Sequence, residues 1–396
     1  MVTSSAEPVR YPFNVAEGIE LDDAYAAARE TPGLLRIRMP YGEPAWLATR
    51  YDDVRQVMGG LVFSRAMAVD ADVPRLTEAV QVSRILTMDP PEHTRLRTLV
   101  AKAFTQRRVE AMRPRIRELA ESLVDELVAS GPPVDLVENY ALSLPVVVIC
   151  EMLGVPTADR PKFRYWTDAV MSASELTAEQ FKKVREDFRG YMAGLVETRR
   201  AEPSDDLMSA MIEARDERDR LSEIELIDMG QALLVAGHEA TAAQLSNFLL
   251  VLFRHPDRLA ELRADRALLP AAVEELSRYV ALGGIATFPR YATEDVEVGG
   301  TLVRAGEPVL AALSVANHDP AQFPDPAELR FDRGECPHVA YGHGPHRCLG
   351  AQLAKVELQE GLWALLDRLP NLRLGGEVEW KSQMVARGPR IMPIAW

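Results

Sequence analysis

Between about residue 95 and residue 280, apolar side chains recur every third or fourth position, and Gly and Pro are sparse. That is the period of a helix with one buried face. It predicts helices over Ile116–Val128, Val184–Arg199, Ser222–Arg254 and Ala271–Val280. Residues 34–50 and 286–315 have another texture, short apolar runs punctuated by Gly and Pro, which predicts strands. In the second region Val296–Val298 and Thr301–Val303 flank Gly299 and Gly300, a hairpin pattern. Residues 317–347 carry many Pro, Asp and His without periodicity. An irregular passage of that length inside a compact domain is uncommon and usually functional. No internal repeat or separating linker interrupts the chain, so 1–396 reads as a single domain, mostly α with a small β region.

The helix starting at Ser222 has a capping box, Ser222 with Glu225, and Leu221 just before it. Helical to about Phe253, it would span roughly 48 Å at ~1.5 Å per residue, so it must cross the core. Its centre nevertheless reads Ala236-Gly237-His238-Glu239-Ala240-Thr241. A Gly and two ionisable residues are unfavourable in the middle of a core helix. Either Gly237 serves one packing contact beside an exposed face, or the helix is widened to hold a ligand against its backbone.

Composition narrows the classes. Apolar residues at 47% and charged residues at 26% describe an ordinary globular protein and exclude disorder. Lys and Arg number 45 against 59 Asp and Glu, a net charge of −14, which argues against nucleic acid as the main partner. The three cysteines, Cys150, Cys336 and Cys348, are odd in number and far apart, which fits a reducing cytoplasm rather than a disulfide framework. The N-terminus lacks the basic and apolar regions of a signal peptide. The apolar stretch Leu226–Phe253 contains Asp228, His238 and Glu239, too costly for a membrane span. A soluble cytoplasmic protein, without membrane or nucleic-acid partners, is expected.

The segment Tyr341-Gly-His-Gly-Pro-His-Arg-Cys-Leu-Gly350 carries the chemistry. Two glycines and a proline make a tight loop, and the pattern from Leu349 onward is helical. Cys348 is therefore expected at a helix N-terminus, where the backbone N–H groups favour a thiolate. Three readings compete. Zinc could draw on Cys336, His338, His343, His346 and Cys348, but the paired short spacings of structural zinc are missing. A Cys nucleophile could use His346 as its base, although that leaves the helix at 222 unexplained. A thiolate on haem iron accounts for both, with the long helix covering the opposite face.

These residues resemble a known family. Tyr341–Gly350 is similar to the F-G-x-G-x-H-x-C-x-G haem-binding signature of the cytochromes P450, with Tyr341 for the usual Phe. Ala236–Thr241 resembles that family's A-G-x-[DE]-T-T helix. Glu275 and Arg278 match its E-x-x-R pair, Arg333 falls where a third partner would lie, and His93 with Arg97 matches its H-x-x-x-R segment. The motifs occur in family order and span essentially the whole chain. The resemblance implies a cytochrome P450 fold, with haem b between a long central helix and a Cys-bearing loop. It implies Cys348 as the iron ligand, His93, Arg97, Arg290, His346 and Gly350 around the cofactor, and Glu275, Arg278 and Arg333 as a buried structural ion network. Electrons would come from NAD(P)H through ferredoxin and its reductase, since flavin and nicotinamide motifs are missing here, and a monomer is expected. Arg107, Arg108 and Arg113 are either a solvated face or a dock for an acidic ferredoxin.

The family places Thr where this chain has Ala240, beside an acid that here is Glu239, so that the pair relays protons for oxygen activation. Thr241 lies one residue on, turned by about 100° around the helix. Ordered water or a substrate hydroxyl would then supply the missing donor. The resemblance implies a pocket of Met67, Ile85, Leu86, Trp166, Met171, Leu234, Gly237, Ile285, Phe288, Met384 and Val385, mostly apolar or small, which favours a large apolar substrate. The spread of the resemblance looks most like the bacterial oxidases that tailor macrolides and other polyketides. Oxygen insertion, as hydroxylation or epoxidation, is the expected reaction. A ring closure, a rearrangement, or ligand binding without turnover is the alternative.

Overall fold

A computed structural model describes residues 7–13, 18–76, 78, 84–159, 162–163, 165–166, 177–216, 221–283, 286, 288–381 and 386–396. The chain divides into two compact units, residues 1–94 with 274–348 and residues 95–273 with 349–396.

The first unit is built on a six-stranded sheet, in the order Val9–Arg10, Leu35–Arg38, Ala45–Ala48, Pro308–Ala311, Arg290–Ala292, Phe63–Ser64. Its two central strands, Ala45–Ala48 and Pro308–Ala311, pair in parallel and are buried throughout. Successive side chains on a strand point to opposite faces, and the core follows that alternation. Trp46, Ala48, Val309 and Ala311 join one cluster, while Ala45, Leu47 and Leu310 join another. Burial on both faces explains why these strands read as unbroken apolar runs. The expected hairpin forms, Val298 opposite Thr301, with Gly299 and Gly300 at φ of 56° and 85°. A two-residue turn of that kind needs left-handed backbone at both positions.

Residues 317–343 contain neither strand nor helix. Their order comes from side chains. Arg278, fully buried, donates to both carboxylate oxygens of Glu275 at 2.8 Å and also to the carbonyls of Asn317, Pro326 and Glu328. Arg333 donates to Glu275 at 2.8 Å and to the carbonyls of Pro324, Asp325 and Glu328. Backbone acceptors that have no ladder partner must find donors elsewhere, and two guanidiniums supply them.

In the second unit the helix Gln106–Ser130 packs along Ala351–Arg368, which also packs against Glu239–Arg254. Gly361 lets the same helix approach Ser143–Leu153, since a Cβ there would lie 2.9 Å from Leu144 Cδ2. Arg113, Arg117 and Arg266 all bond the buried Glu360, so Arg113 is committed to the fold, whereas Arg107 and Arg108 are exposed. The expected long helix is two, Glu223–Ala236 and Glu239–Arg254, with a turn at Gly237 and His238. Its capping box at Ser222 and Glu225 is present. The strands Val134–Asp135, Arg373–Leu374 and Pro393–Ala395 form one small sheet and Glu379–Trp380 with Pro389–Ile391 another. Among the described residues no helix is long and apolar enough to cross a membrane.

Two stability predictions follow from this packing. Glu275→Ala or Arg278→Ala leaves a buried charge unpaired and should cost ~3–5 kcal/mol, read from urea unfolding or, in the extreme, as loss of soluble protein. Glu357 is 1% exposed, its Oε2 has no partner, and burial holds its carboxyl well above the ordinary range. A pKa raised in the fold stabilises the protein below the unfolded value and loses that contribution as pH rises. Glu357→Gln should therefore flatten the fall in urea midpoint between pH 5 and pH 8, and the variant should be the more stable protein at pH 8.

Candidate active site

In the first unit the loop 341–348 turns on two glycines in the left-handed region, Gly342 at φ 75° and Gly344 at φ 71°. Gly344 is also a close approach, because a Cβ there would lie 2.5 Å from the Met58 carbonyl oxygen. The Cys348 N–H donates to the Tyr341 carbonyl at 2.7 Å, which closes the loop. Tyr341 differs from the family's Phe by a hydroxyl, and Ser277 Oγ stands 3.3 Å from it. The following helix begins at Ala351 with Gly350 as its N-cap, so Cys348 lies two residues ahead of the cap rather than in the first turn. The loop, more than the helix dipole, presents the thiol.

Cys348 is the exposed cysteine of the three, while Cys150 is fully buried. Burial and the nearby Glu275 push the Cys336 thiol up to about 11, far from thiolate character at neutral pH. His338 is 2.9 Å from Glu274. Among the described residues no three His, Cys, Asp or Glu side chains could hold a metal ion together, which removes the zinc reading.

The same unit buries several basic side chains. His93, 2% exposed, has its ring 4.1 Å from that of His346. Arg290 and Arg65 are 4% and 6% exposed, and Asp89 is the acid that counters both. Asp89 is itself held by Ser64 Oγ and by the Arg65 N–H. Desolvation lowers Arg290 to about 10, and desolvation plus the charge of Arg290 lowers Arg65 to about 9. Arg290 Nη2 is buried without a hydrogen-bond partner among the described residues. Two buried guanidiniums facing one carboxylate, one with an unused donor, are suited to a further carboxylate such as a haem propionate. Arg97 is half-buried one helical turn beyond His93, on Glu92–Ala101. Sequence reading missed Arg65 as part of this group, because only the antiparallel pairing of Phe63–Ser64 with Arg290–Ala292 brings the two arginines together.

In the second unit Gly237 is needed for packing, since a Cβ would lie 2.8 Å from Ile149 Cγ1. The packing reading of this glycine and the helix interruption therefore coexist. Ala240 is exposed, whereas Thr241 is 8% exposed and turned into the core, so Thr241 offers no hydroxyl on the face of Ala240. Glu239 is buried and forms an ion pair with Lys381. Lys381 was not expected from sequence, where nothing distinguishes it from other C-terminal charges.

Of the expected pocket residues, Met67, Leu86 and Phe288 are exposed and Ile85 is half-buried, all in the first unit. The turns Ala66–Val69 and Arg84–Thr87 that carry three of them pack together. The Arg65 guanidinium lies 5.0 Å from the Phe288 ring, and Phe288 adopts φ 60°, a strained value for a bulky residue. In the second unit Trp166 stacks on Phe188 at 5.3 Å beside Phe163 and Tyr191, and Leu234 is 1% exposed. Met171, Ile285, Met384 and Val385 lie outside the described residues.

An exposed thiol in a rigid loop, in one unit with buried guanidiniums of which one has an unused donor, is suited to an acidic metal cofactor bound through sulfur. The cytochrome P450 family profile matches residues 160–372. The mycinamicin IV hydroxylase/epoxidase of Micromonospora griseorubida is 49% identical, over 99% of this chain and 100% of its own. The nocardicin C N-oxygenase of Nocardia uniformis subsp. tsuyamanensis is 46% identical over 98% of each. The structure of the mixed-function P450 MycG superposes with a TM-score of 0.93 at 49% identity, covering 98% of this chain and 100% of that one. The chain belongs to the cytochrome P450 family, and it is a monooxygenase of the haem-thiolate class.

Removal of the unused donor tests the anion site. A charge-assisted hydrogen bond is worth about 1.5–3 kcal/mol, so Arg290→Leu should hold haem roughly ten- to a hundred-fold less tightly. Transfer of haem to apomyoglobin measures this without turnover.

Proposed function

We propose that this protein inserts one oxygen atom from O2 into a large, mostly apolar macrolide or other polyketide, by hydroxylation or epoxidation. The observation that carries the substrate class is the 49% identity, along the whole chain, to a mycinamicin IV hydroxylase/epoxidase. The exposed apolar side chains of Met67, Leu86 and Phe288 support it, as does the adaptability of methionine to irregular ligands. We read 1–396 as one catalytic domain, monomeric and cytoplasmic, fed from NAD(P)H by a ferredoxin and its reductase.

Cys348 would hold the iron of haem b, and the haem supplies oxygen activation, its thiolate favouring O–O cleavage. His93, Arg97, Arg290 and His346 would bind the propionates, with Arg65 adding positive charge to the same group, and Gly350 keeps the helix start free of a side chain. Glu239 would hold and pass a proton at its carboxylate. Because Ala240 has no hydroxyl and Thr241 faces the core, a water or a hydroxyl of the substrate completes the relay. Glu275, Arg278 and Arg333 fix the irregular segment ahead of the loop and take no part in the chemistry. A non-insertion reaction is the second reading, favoured by the missing alcohol at 240.

With mycinamicin IV as the probe, the ferric protein should show a saturable Soret shift and, with the redox partners, a product heavier by one oxygen. No shift with this or related macrolides would remove the substrate class. The reduced carbon-monoxide complex should carry the red-shifted Soret band of thiolate ligation and lose it in Cys348→Ser. Retention of that band would show that another residue holds the iron.

A further inference from the structure

Glu239 stands in the first turn of the helix Glu239–Arg254, and its partner Lys381 follows the strand Glu379–Trp380. Three contacts fix that C-terminal hairpin on the helix. The strand Pro389–Ile391 packs against it. A Cβ at Gly388 would lie 2.9 Å from Ala243 Cβ, so the two backbones meet closely there. Asn247 Nδ2 donates to the Arg387 carbonyl at 2.9 Å. The Lys381 N–H donates to the Gly388 carbonyl at 3.2 Å, so the lysine is carried on the same clamp. Its side chain is 13% exposed against 4% for Glu239, which makes the ammonium the solvent side of the pair.

Stability does not account for this pair. Buried ion pairs lose in desolvation most of what they gain in attraction, and apolar residues of similar volume hold a fold as well or better. This one stands on the turn that carries Ala240, where the chain has no alcohol.

We propose that Lys381 is a positioning residue for proton delivery. Its ammonium holds the Glu239 carboxylate in one orientation, so that a lone acid does the work for which a hydroxyl is otherwise present. The proposal rests on the reading of Glu239 as the proton carrier, and the test separates the two.

The holoenzyme is driven by NADPH through a [2Fe–2S] ferredoxin and its reductase, with and without mycinamicin IV. The readout is the share of consumed oxygen released as hydrogen peroxide, which rises when protons arrive late. Lys381→Met and Glu239→Gln should each raise that share at least three-fold, and the double variant should be no worse than either. Lys381→Arg, which keeps the charge, should return it to within about two-fold of the parent. The urea midpoint of Lys381→Met should also fall below that of the double variant, because only the single exchange leaves a buried carboxylate alone. If Lys381→Met does not fold, Lys381→Gln takes its place. A parental share in Lys381→Met with a raised one in Glu239→Gln overturns this proposal alone. A parental share in both overturns the Glu239 reading beneath it, and failure of Lys381→Arg to restore the parent overturns the role of charge.

Discussion

The carboxylate of Glu275 is the constraint on which the first unit depends. A segment of about thirty residues precedes Cys348 with no helix or strand until Gly344–His346, and such a chain cannot satisfy its own backbone. Arg278 and Arg333 converge on Glu275 and spend their other N–H groups on carbonyls of that segment. The guanidinium fork suits this use, since it offers five donors in a fixed plane and keeps its charge when buried. Each arginine alone would be a buried cation, and the acid alone a buried anion. The group is therefore cooperative, and its worth lies in fixing one conformation of an irregular chain rather than in net attraction.

The second electrostatic feature is a deliberate imbalance. Where Glu275 is met by two arginines whose remaining donors are used, Arg65 and Arg290 share Asp89 and Arg290 keeps an unused donor. Burial lowers both pKa values, because desolvation disfavours the charged form. The first unit thus carries a closed network, which fixes an irregular segment, and an open one, whose unused donor is suited to a further anion.

Much of this was legible in the sequence. The helical period found the second unit's long helices, and the alternation of Gly-punctuated apolar runs found the central strands. The two loop glycines were also legible as a local turn pattern, whereas the Glu275–Arg278 pair was legible only through its match to a family motif, since an i,i+3 pair by itself has no single meaning. Illegible were the two-residue strands, such as Phe63–Ser64, which are too short to show a period. The aromatic group that Trp166 forms with Phe163, Phe188 and Tyr191 was equally illegible, because spacing says that a residue is buried but not against what. Arg65 and Lys381 escaped notice for a related reason. Arg65 lies beside Arg290, 225 positions on, and Lys381 pairs with Glu239, 142 positions back, and only the tertiary fold brings them together.

The interrupted helix shows how a local defect becomes a functional device. A continuous helix from Ser222 would bury an acid in mid-span with all of its backbone groups engaged. The turn at Gly237 and His238 instead makes Glu239 the first residue of a new helix. A carboxylate is favoured there, because the N–H groups of a first turn are unsatisfied and the dipole is positive. The same break leaves Ala240 exposed and Thr241 buried. An alcohol one position later therefore does not share the face of Ala240, and Glu239, paired with Lys381, is the acid that this turn presents.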